Sequence, residues 1–423
     1  MSTPLKQRAL ATVGNVVRHV PHDGTQIFSF VASPKVRTEP WALYQRFHRR
    51  SPVRKGPYGL WLVASHAGIT RVLRDAPTTV DESRAANLPS GGDRDTEFGQ
   101  LMNKTLLFTD PPDHSRLRRL VSRSFTPRMV DRLRDPIGEL VAKQLAELRP
   151  RGRGDLISDF ALPLPVAVIC ELLGLPPTER DRFIGWGRDL APRFDIDLFR
   201  DEEVNRRGDA AAAALTTYFD DLLDHPERCD PEGLVPALIA AEDDDDRLDR
   251  SEVIALCALL LLAGFETTTN LIGNSVVSLL RQPDQLAAWR EDRVDPTLAV
   301  DELLRHDAPV QFTQRVLLED FELDGHVMPA FSLIALLLGA GNRDPKVFDD
   351  PDRLDLRRTP NPHLSFSTGI HHCLGAALAR LEAELAVPAI LRELPGLALD
   401  GKPRWRETFV LRGCTELPLR WSA

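Results

Sequence analysis

The sequence lacks closely spaced cysteines. Its 423 residues include five cysteines, and no two of them form a C-x-x-C pair: Cys170, Cys229, Cys257, Cys373 and Cys414. This absence excludes a zinc ribbon, a ferredoxin-type cluster and c-type haem attachment, which all use cysteines at short fixed spacings. An odd and scattered set also indicates a reducing compartment, because secreted proteins usually pair their cysteines. We therefore expect a cytoplasmic protein.

The sequence also lacks a membrane-spanning run, a basic surface and a nucleotide-binding motif. The longest apolar run, residues 255–265, holds 11 residues, whereas a transmembrane helix needs about 20. Because this run is too short, we expect no membrane span. The first residues contain no signal-peptide core. A formal net charge of −9 argues against general nucleic-acid binding. Neither G-x-G-x-x-G nor G-x-x-x-x-G-K-S/T occurs in complete form, which argues against a dinucleotide or P-loop site.

One cysteine lies where a reactive thiolate is expected, at the start of a predicted helix. Cys373 lies between an irregular stretch and a strong helical run, residues 374–385. A helix N-terminus has unpaired N–H groups and a positive dipole end, and both favour a thiolate over a thiol. Because Gly375 lacks a Cβ, we expect backbone amides to approach the sulfur, and we expect Gly369 to let the preceding loop turn back. The alternative is a small buried hydrophobic residue, the usual state of a lone cysteine.

The residues around Cys373 carry a recognisable pattern. Residues 366–375 read F-x-x-G-x-H-x-C-x-G, with Phe366 and His371 at the aromatic and histidine positions. This stretch resembles the haem-binding loop of the cytochrome P-450 family, the haem-thiolate monooxygenases. The resemblance implies that Cys373 ligates the iron of haem b through its sulfur. It also implies that Phe366 lies beside the haem and that His371 helps to neutralise its propionates.

A second stretch, residues 110–125, predicts an amphipathic helix that Asp110 can cap. At about 100° per residue, His114 and Arg118 border the apolar face, whereas three arginines point to solvent: Arg116, Arg119 and Arg123. His114 and Arg118 could take part in local capping or in an ordinary ion pair. If they point inward they need an anionic partner, because an unpaired buried charge is costly. The run D-P-P-x-H-x-x-x-R resembles the third helix of the same family, which implies contact with a haem propionate.

A long apolar helix is predicted over residues 251–281, with Ser251 or Asp249 as its cap. Its middle contains small, acidic and alcohol residues together: Ala263, Gly264, Glu266 and Thr267. The Thr267 hydroxyl can bond back to the Ala263 carbonyl and distort the helix, and Gly264 leaves a groove. A kinked core helix with a satisfied glutamate is the alternative. The run resembles the family's A-G-x-D/E-T-T motif, where dioxygen binds, and implies that Glu266 and Thr267 relay protons.

Two further features lie between residues 296 and 353. Glu302 and Arg305, three apart on a predicted helix, can pair, and E-x-x-R alone is a weak signal. In the family this buried pair joins an arginine from a later loop, for which Arg353 is the candidate, and its role is structural. Arg315, on a predicted strand, stands close to the family's strand arginine, which implies contact with the second propionate. The alternative for Arg315 is an arginine at the rim of an edge strand.

The resemblance covers nearly the whole chain and sets the expected fold. It is mainly α with a smaller β-rich region, a cytochrome P-450 fold with one long central helix over the haem. Residues 1–35 are expected to form a partly disordered N-terminal segment, and residues 36–423 a single catalytic domain. Between residues 127 and 243 we predict helices at 137–148, 155–173, 177–190, 203–224 and 231–242. Residues 77–104 read as a long loop, either a lid over the substrate or plain surface.

The implied activity is that of a monooxygenase. It would insert one oxygen atom of O2 into a hydrophobic small molecule by hydroxylation or epoxidation, as in secondary metabolism. Because the family fold occupies the full length, electrons would come from a separate ferredoxin or flavodoxin with its NAD(P)H reductase, docking on the outward arginines. A peroxide-driven peroxygenase ranks second, because such members lack the acid–alcohol pair. A non-enzymatic haem-binding sensor is the third reading. The sequence leaves the substrate open.

Overall fold

The structure is a computed structural model that describes residues 34–56, 59–86, 93–195, 200–243, 246–291 and 293–422. The predicted N-terminal segment therefore lies almost wholly outside the described residues. The N-terminal part alternates short helices with strands: α1 (Pro34–Thr38), α2 (Trp41–Arg50), β1 (Val53–Lys55), β2 (Trp61–Val63), α3 (His66–Asp75), β3 (Thr78–Thr79) and α4 (Glu97–Met102). β1 and β2 pair in antiparallel orientation, with Val53 opposite Val63.

The middle of the chain is almost entirely helical. Its elements are α5 (Asp113–Ser124), α6 (Pro127–Arg132), α7 (Arg134–Leu148), β4 (Arg153–Asp155), α8 (Pro163–Leu173), α9 (Arg180–Leu190), α10 (Glu202–Asp224), α11 (Leu234–Ile239), β5 (Glu242–Asp243), β6 (Asp246–Arg247) and α12 (Arg250–Leu280). A π-helical turn over Ile157–Ala161 precedes α8. The mainly α prediction is confirmed.

The C-terminal part mixes helices with the β-rich region. It contains α13 (Pro283–Arg290), α14 (Pro296–His306), β7 (Thr313–Leu317), β8 (Phe321–Leu323), β9 (His326–Met328), β10 (Leu333–Leu336), α15 (Leu338–Gly341), α16 (Ala376–Glu393), β11 (Ala398–Leu399), β12 (Arg404–Trp405), β13 (Cys414–Glu416) and β14 (Pro418–Arg420). A long irregular segment between α15 and α16 ends in the cysteine loop.

The largest sheet joins strands that are far apart in sequence, in the order β1-β2-β10-β7-β3. β10 runs parallel to β2, with Ile334 opposite Trp61, and antiparallel to β7, with Ile334 opposite Arg315. A smaller sheet, β11-β14-β4, joins the C-terminus to the start of the helical region. The β region thus holds Arg315 on an inner strand, with neighbours on both sides. An inner strand excludes the edge-strand alternative for this arginine.

Side-chain caps fix where several helices begin. A serine or aspartate side chain accepts the first free backbone N–H groups, the usual role of these residues at an N-cap. Such caps are Ser65 for α3, Asp201 for α10, Asp249 for α12 and Asp295 for α14. At α12, Glu252 also reaches back to the backbone of Asp249, which completes a capping box. Of the two caps predicted for the long helix, Asp249 is the observed one.

Helix α12 is the centre of the fold. It spans 31 residues, is buried along most of its length, and packs against α8, α10, α14 and α16. By length and composition alone it could cross a membrane, but 67% of its most apolar window is buried inside the fold. The prediction of one long central helix is confirmed. A helix that is apolar nearly all round is stable in water only when neighbouring elements cover it.

Three local predictions differ from the structure. Residues 155–173 do not form one helix, because Asp155 ends β4 by pairing with Pro418 of β14. The segment 77–104 is not all loop, since α4 lies within it and packs on α10. Asp110 does not cap α5; its carboxylate accepts hydrogen bonds from the Thr79 hydroxyl and the Val80 N–H. Tertiary partners override local propensity in all three places.

Candidate active site

Cys373 lies three residues before the first residue of α16. Its backbone N–H donates to the Phe366 carbonyl at 3.0 Å, and its side chain is exposed on the open side of the loop. Solvent touches the Cys373 side chain, but the protein around the sulfur still desolvates it and raises the pKa of the thiol, while the Gly375 N–H, Arg118 and Arg380 act in the opposite direction. The donors expected at the helix start do favour the thiolate, but desolvation of the sulfur opposes them and is the larger effect. A thiolate here needs a further positive partner such as a metal ion.

Two glycines shape the cysteine loop in different ways. Gly369 has a φ of +74°, and a Cβ at this position would lie 2.5 Å from the Leu73 carbonyl oxygen. The turn predicted there is confirmed, since only glycine adopts it without strain. Gly375 donates its N–H to the sulfur, but a Cβ on it would meet nothing within 4 Å. The amide could therefore approach the sulfur even if residue 375 carried a side chain. The absence of that side chain leaves open space beside the thiol.

Phe366 forms the buried side of this loop. It is 8% exposed, and the Arg380 guanidinium lies 4.6 Å from the centre of its ring. A cation over an aromatic face is attracted by the ring quadrupole. Arg380 also donates to Asp301 of α14 at 2.7 Å. The phenylalanine predicted at the site is thus fixed between the cysteine loop and α14.

Four predicted donor side chains come together next to the cysteine loop: His114, Arg118, Arg315 and His371. The rings of His114 and His371 lie 4.3 Å apart, centre to centre. Both ring nitrogens of His114 are buried without a hydrogen-bond partner among the described residues. Burial, helped by Arg315 and His114, lowers the pKa of His371 to about 3. The cluster concentrates positive charge and unused donors in one place.

This cluster has no carboxylate bonded to it in the part of the chain that the structure describes. Arg315 is 8% exposed and donates only to the Thr313 hydroxyl at 3.2 Å and the Gln314 carbonyl at 2.6 Å. Burial lowers the pKa of Arg315 to about 10, and burial also lowers that of Arg118. Asp110 acts on Arg315 through its charge, but its oxygens are bonded to β3 and Val80. A buried arginine without a bonded carboxylate favours binding of an anionic ligand.

The outward arginines are not an open positive patch. Arg116 bonds to Glu252 and lies 3.4 Å from Asp246, so it ties α5 to the start of α12. Arg119 lies 3.8 Å from Asp246 and is 51% exposed. Asp246 and Glu252 supply this countercharge. Arg116 is therefore held within the fold, whereas about half of the Arg119 side chain stays exposed. The docking role of these arginines stays a prediction.

The central helix carries the predicted acid–alcohol pair. The Thr267 hydroxyl donates to the Ala263 carbonyl at 2.7 Å, which confirms the predicted back-bond. Ala263 is exposed although almost all its helix neighbours are buried, so this point of α12 faces open space. A Cβ on Gly264 would lie 3.0 Å from Ile169 of α8. The predicted groove at Gly264 is thus filled by a neighbouring helix, and the open position is Ala263.

Glu266 has a partner that sequence reasoning missed. Its carboxylate is 5% exposed, and Oε2 lies 3.0 Å from Nη2 of Arg406, which follows β12. Burial raises the pKa of Glu266, while Arg406 and then Arg188 oppose this rise. Arg406 is 140 residues away in the sequence and belongs to no motif. The one feature of the sequence that could have indicated a partner is the carboxylate itself, because a carboxylate in an apolar helix needs a cation.

The Glu302–Arg305 pair is present, but its third member differs from the prediction. Arg305 Nε donates to Glu302 at 2.7 Å, and both side chains are fully buried. Arg358 donates to Glu302 at 3.1 Å, whereas Arg353 is exposed and offers Arg305 only its carbonyl oxygen. The Asp355 N–H also donates to Glu302 at 2.8 Å. This network joins α14 to the irregular segment that leads to the cysteine loop.

Comparison with known proteins decides the family. The cytochrome P-450 family model matches residues 297–405, which include α14 and the cysteine loop. The biotin biosynthesis cytochrome P-450 of Bacillus subtilis is 36% identical over 94% of this chain and 100% of its own length. The chain belongs to the cytochrome P-450 family. The monooxygenase PikC of Streptomyces venezuelae is 39% identical over 90% of this chain and 91% of its own.

Solved cytochromes P-450 share the fold of this one. The crystal structure of P450BioI in complex with hexadec-9Z-enoic acid ligated acyl carrier protein superposes with a TM-score of 0.84. It is 34% identical and covers 92% of this chain and 100% of its own. The Bacillus subtilis bacillaene polyketide synthase cytochrome P-450 PksS has a TM-score of 0.83 and 31% identity, covering 92% and 98% of the two chains. The predicted cytochrome P-450 fold is confirmed.

The family defines the class of activity and the cofactor. Cytochromes P-450 are monooxygenases that bind haem with a cysteine thiolate as axial ligand, and this chain is such an enzyme. Its residues fit that group. The open space over Gly375 lies beside the only exposed cysteine of the described chain, and the donors His114 and Arg315 stand free of any carboxylate bond there. A planar dianionic haem matches both features.

Proposed function

We propose that this cytochrome P-450 inserts one oxygen atom of O2 into a hydrophobic small molecule, by hydroxylation or epoxidation, in the cytoplasm. The observation that carries the proposal is the cluster of two arginines and two histidine donors, Arg118, Arg315, His114 and His371, beside the exposed thiol of Cys373. Turnover of the purified enzyme with a surrogate ferredoxin, its reductase and NAD(P)H tests it. Product made only with added peroxide would instead favour a peroxygenase. Absence of product with either system would favour a haem-binding sensor.

Each residue of the cluster has a role in this proposal. Cys373 would hold the haem iron through its sulfur, and the thiol would lose its proton on binding, as metal ligation by cysteine requires. His114, Arg118, Arg315 and His371 hold the two propionates, and Phe366 packs behind the loop. A bound haem with a thiolate ligand supplies the oxidising chemistry, which the axial sulfur promotes by pushing electron density to the iron. The protein positions the substrate and delivers protons.

Proton delivery falls to Thr267 and Glu266. The Thr267 hydroxyl donates a hydrogen bond to the Ala263 carbonyl, so the lone pairs of its oxygen remain available to accept a hydrogen bond from water in the open space. Glu266 is the adjacent group that can gain and lose a proton. The alcohol fixes a water molecule at Oγ1, and the carboxylate returns the proton that this water gives up.

Removal of the Thr267 hydroxyl should uncouple the reaction. In Thr267→Ala, no group fixes the proton-carrying water, so reduced oxygen leaves as hydrogen peroxide. We expect oxygen and NAD(P)H consumption to continue while product per NAD(P)H falls by about tenfold or more. The measurement is parallel quantification of NAD(P)H, hydrogen peroxide and product.

Two neighbouring variants serve as comparison. Glu266→Gln should slow oxygen consumption with less uncoupling, because it removes the proton source rather than the site for water. Thr268→Ala should change coupling less than Thr267→Ala, because Thr268 is buried and lies about 100° further round α12. Wild-type coupling in Thr267→Ala would show that the proton path runs through other groups.

The electron donor is proposed to be an acidic ferredoxin or flavodoxin. Since Arg116 is committed to Glu252, Arg119 is the more available cation of α5. Arg119→Glu should slow reduction by an acidic ferredoxin by roughly tenfold at low ionic strength and weaken the salt dependence of the rate. Stopped-flow reduction measures the effect. Arg206→Glu on α10, whose arginine is exposed and pairs with Glu203, is the matched control. Equal effects of both reversals would place the docking surface away from α5.

The substrate is proposed to belong to biosynthetic metabolism and to be apolar. One similar cytochrome P-450 acts in biotin biosynthesis, and one similar structure holds a fatty acid attached to an acyl carrier protein. A library of hydrophobic compounds, including free and carrier-linked acyl chains, can be screened for the high-spin Soret shift. A compound that produces the shift and is then converted to product identifies the substrate class.

A further inference from the structure

The C-terminal hairpin brings a cation to the middle of the central helix. Arg406 follows β12 directly, and its backbone N–H donates to the Gly413 carbonyl at 2.9 Å, which holds the hairpin closed. Its Nη2 atom lies 3.0 Å from Oε2 and 3.4 Å from Oε1 of Glu266. The side chain of Arg406 is 21% exposed and that of Glu266 only 7%. Arg406 thus extends from near the surface to a buried carboxylate.

Arg406 is the main charge that acts on Glu266. Burial raises the pKa of Glu266; Arg406, from the hairpin, opposes the rise most, and Arg188, from α9, opposes it less. These are the charged groups that face the carboxylate from the elements packed against it. A buried carboxylate that lost its only close cation would take up a proton at higher pH. The ion pair therefore favours the ionised form of the proposed proton donor, against the effect of burial.

The contact region carries several buried polar atoms that make no hydrogen bond within the described chain. Glu266 Oε2 and Arg406 Nε are buried without a hydrogen-bond partner among the described residues. One turn further along the same face of α12, Thr269 and Asn270 also carry buried polar atoms without a partner there. Gly413 of the hairpin packs directly on Asn270, where a Cβ would come within 1.9 Å of Oδ1. Buried polar groups in this state are commonly satisfied by ordered water.

A small surface cleft lies beside Arg406. Arg406 lines it together with residues of the turn after α9 and of the hairpin: Ala191, Pro192, Asp195, Thr408, Val410 and Leu411. Asp195 accepts the N–H groups of Phe409 at 2.9 Å and Val410 at 3.2 Å, so the two walls of the cleft are bonded together. Solvent in the cleft reaches the Arg406 side chain, and Arg406 reaches Glu266.

We propose that Arg406 is a positioning residue for proton delivery, and that the cleft beside it is the route by which protons from solvent reach Glu266. The inference rests on the proposed monooxygenase function. A proton passes from water in the cleft to Glu266 Oε2 and gives the neutral acid. The acid then releases the proton towards the water at Thr267 and returns to the carboxylate. Arg406 stabilises the carboxylate between transfers and fixes its orientation.

Arg406→Met tests this assignment, because it keeps an unbranched side chain and removes the charge. We expect kcat to fall about tenfold or more with a KM change below about twofold, because a positioning residue for proton delivery acts on the reaction rather than on substrate binding. The ionised form of Glu266 exists above its pKa, and loss of the cation raises that pKa. The acid limb of the kcat–pH profile should therefore move to higher pH, and the solvent isotope effect on kcat should increase.

A second readout does not depend on turnover. The infrared carboxyl band of protonated Glu266, identified by its absence in Glu266→Gln, should appear at higher pH in Arg406→Met than in the wild type. Arg404→Gln is the matched control, because Arg404 stands on the same hairpin and pairs with exposed Glu416 at 2.7 Å. Arg406→Lys should restore much of the wild-type profile. Circular dichroism checks folding, and Arg406→Gln replaces Arg406→Met if that variant does not fold.

The outcomes separate the two proposals. An unchanged infrared titration and pH profile in Arg406→Met, or an equal change in Arg404→Gln, would overturn the role of Arg406. Absence of ferredoxin-driven product in the wild type would overturn the proposed function instead, and the infrared titration would still report on the ion pair. A shifted titration with an unchanged isotope effect would show that Arg406 fixes the charge of Glu266 but that protons enter elsewhere. That result would overturn the proposed proton route through the cleft.

Discussion

Cys373→Ser is expected to abolish the far-red-shifted Soret band that the ferrous carbon monoxide complex of the wild-type enzyme shows. A serine hydroxyl does not ionise as a thiol does, so the axial ligand loses the electron-donating sulfur. Product formation with ferredoxin and NAD(P)H should fall below detection. The measurement is the reduced carbon monoxide difference spectrum, together with the haem content of the purified variant.

The other cysteines provide the controls. Burial raises the pKa of Cys170 and Cys414 to about 12 and also raises that of Cys257, so these thiols stay protonated inside the core. Cys170→Ala and Cys414→Ala should keep the band. A normal band in Cys373→Ser, or its loss in one of the controls, would contradict the assignment of the axial ligand.

Glu302→Ala should have the second large effect, on folding. Arg305 would remain fully buried with its charge unpaired, and loss of one partner from such a pair costs about 3–5 kcal/mol. That is a large part of the stability of an ordinary domain. We expect little soluble protein and low haem content. Urea denaturation followed by circular dichroism, and the haem-to-protein ratio, measure both effects.

Two arginine variants distinguish the observed network from the one that the sequence suggested. Arg358→Ala removes a direct bond to Glu302, whereas Arg353→Ala removes only an exposed side chain and leaves its carbonyl in place. We expect Arg358→Ala to lower the free energy of unfolding clearly and Arg353→Ala to change it by less than about 0.5 kcal/mol. The reverse order would restore Arg353 as the third member.

The network matters because it holds the cysteine loop. The Ser365 hydroxyl donates to the Leu304 carbonyl of α14 at 2.7 Å. Asn342 donates to that hydroxyl at 2.8 Å and accepts the Leu364 N–H at 2.6 Å. Together with Glu302, these bonds fix the start of the loop relative to α14. A structural ion pair far from the thiol can therefore control haem binding through the position of the loop.

The sequence by itself determined the features that depend on neighbouring residues. The turn at Gly369 follows from a local backbone requirement, and the bond from Thr267 to Ala263 follows from the four-residue spacing of a helix. The length and apolar character of α12 predicted its central position, because only the interior of the fold can cover such a helix. His114 and Arg315 were found through their family motifs, not through their local spacing.

The tertiary structure alone decided which charges meet. Arg406 reaches Glu266, and Arg358 replaces Arg353 at Glu302, across gaps in sequence that no periodicity describes. Arg116 is neutralised by the start of α12 rather than left for a partner. At Cys373, the sequence shows the favourable helix start, but the balance against burial appears only when the surrounding residues are in place. The partner of a long charged side chain depends on which opposite charges lie within reach and on how strongly each group is desolvated. Both are properties of the folded chain.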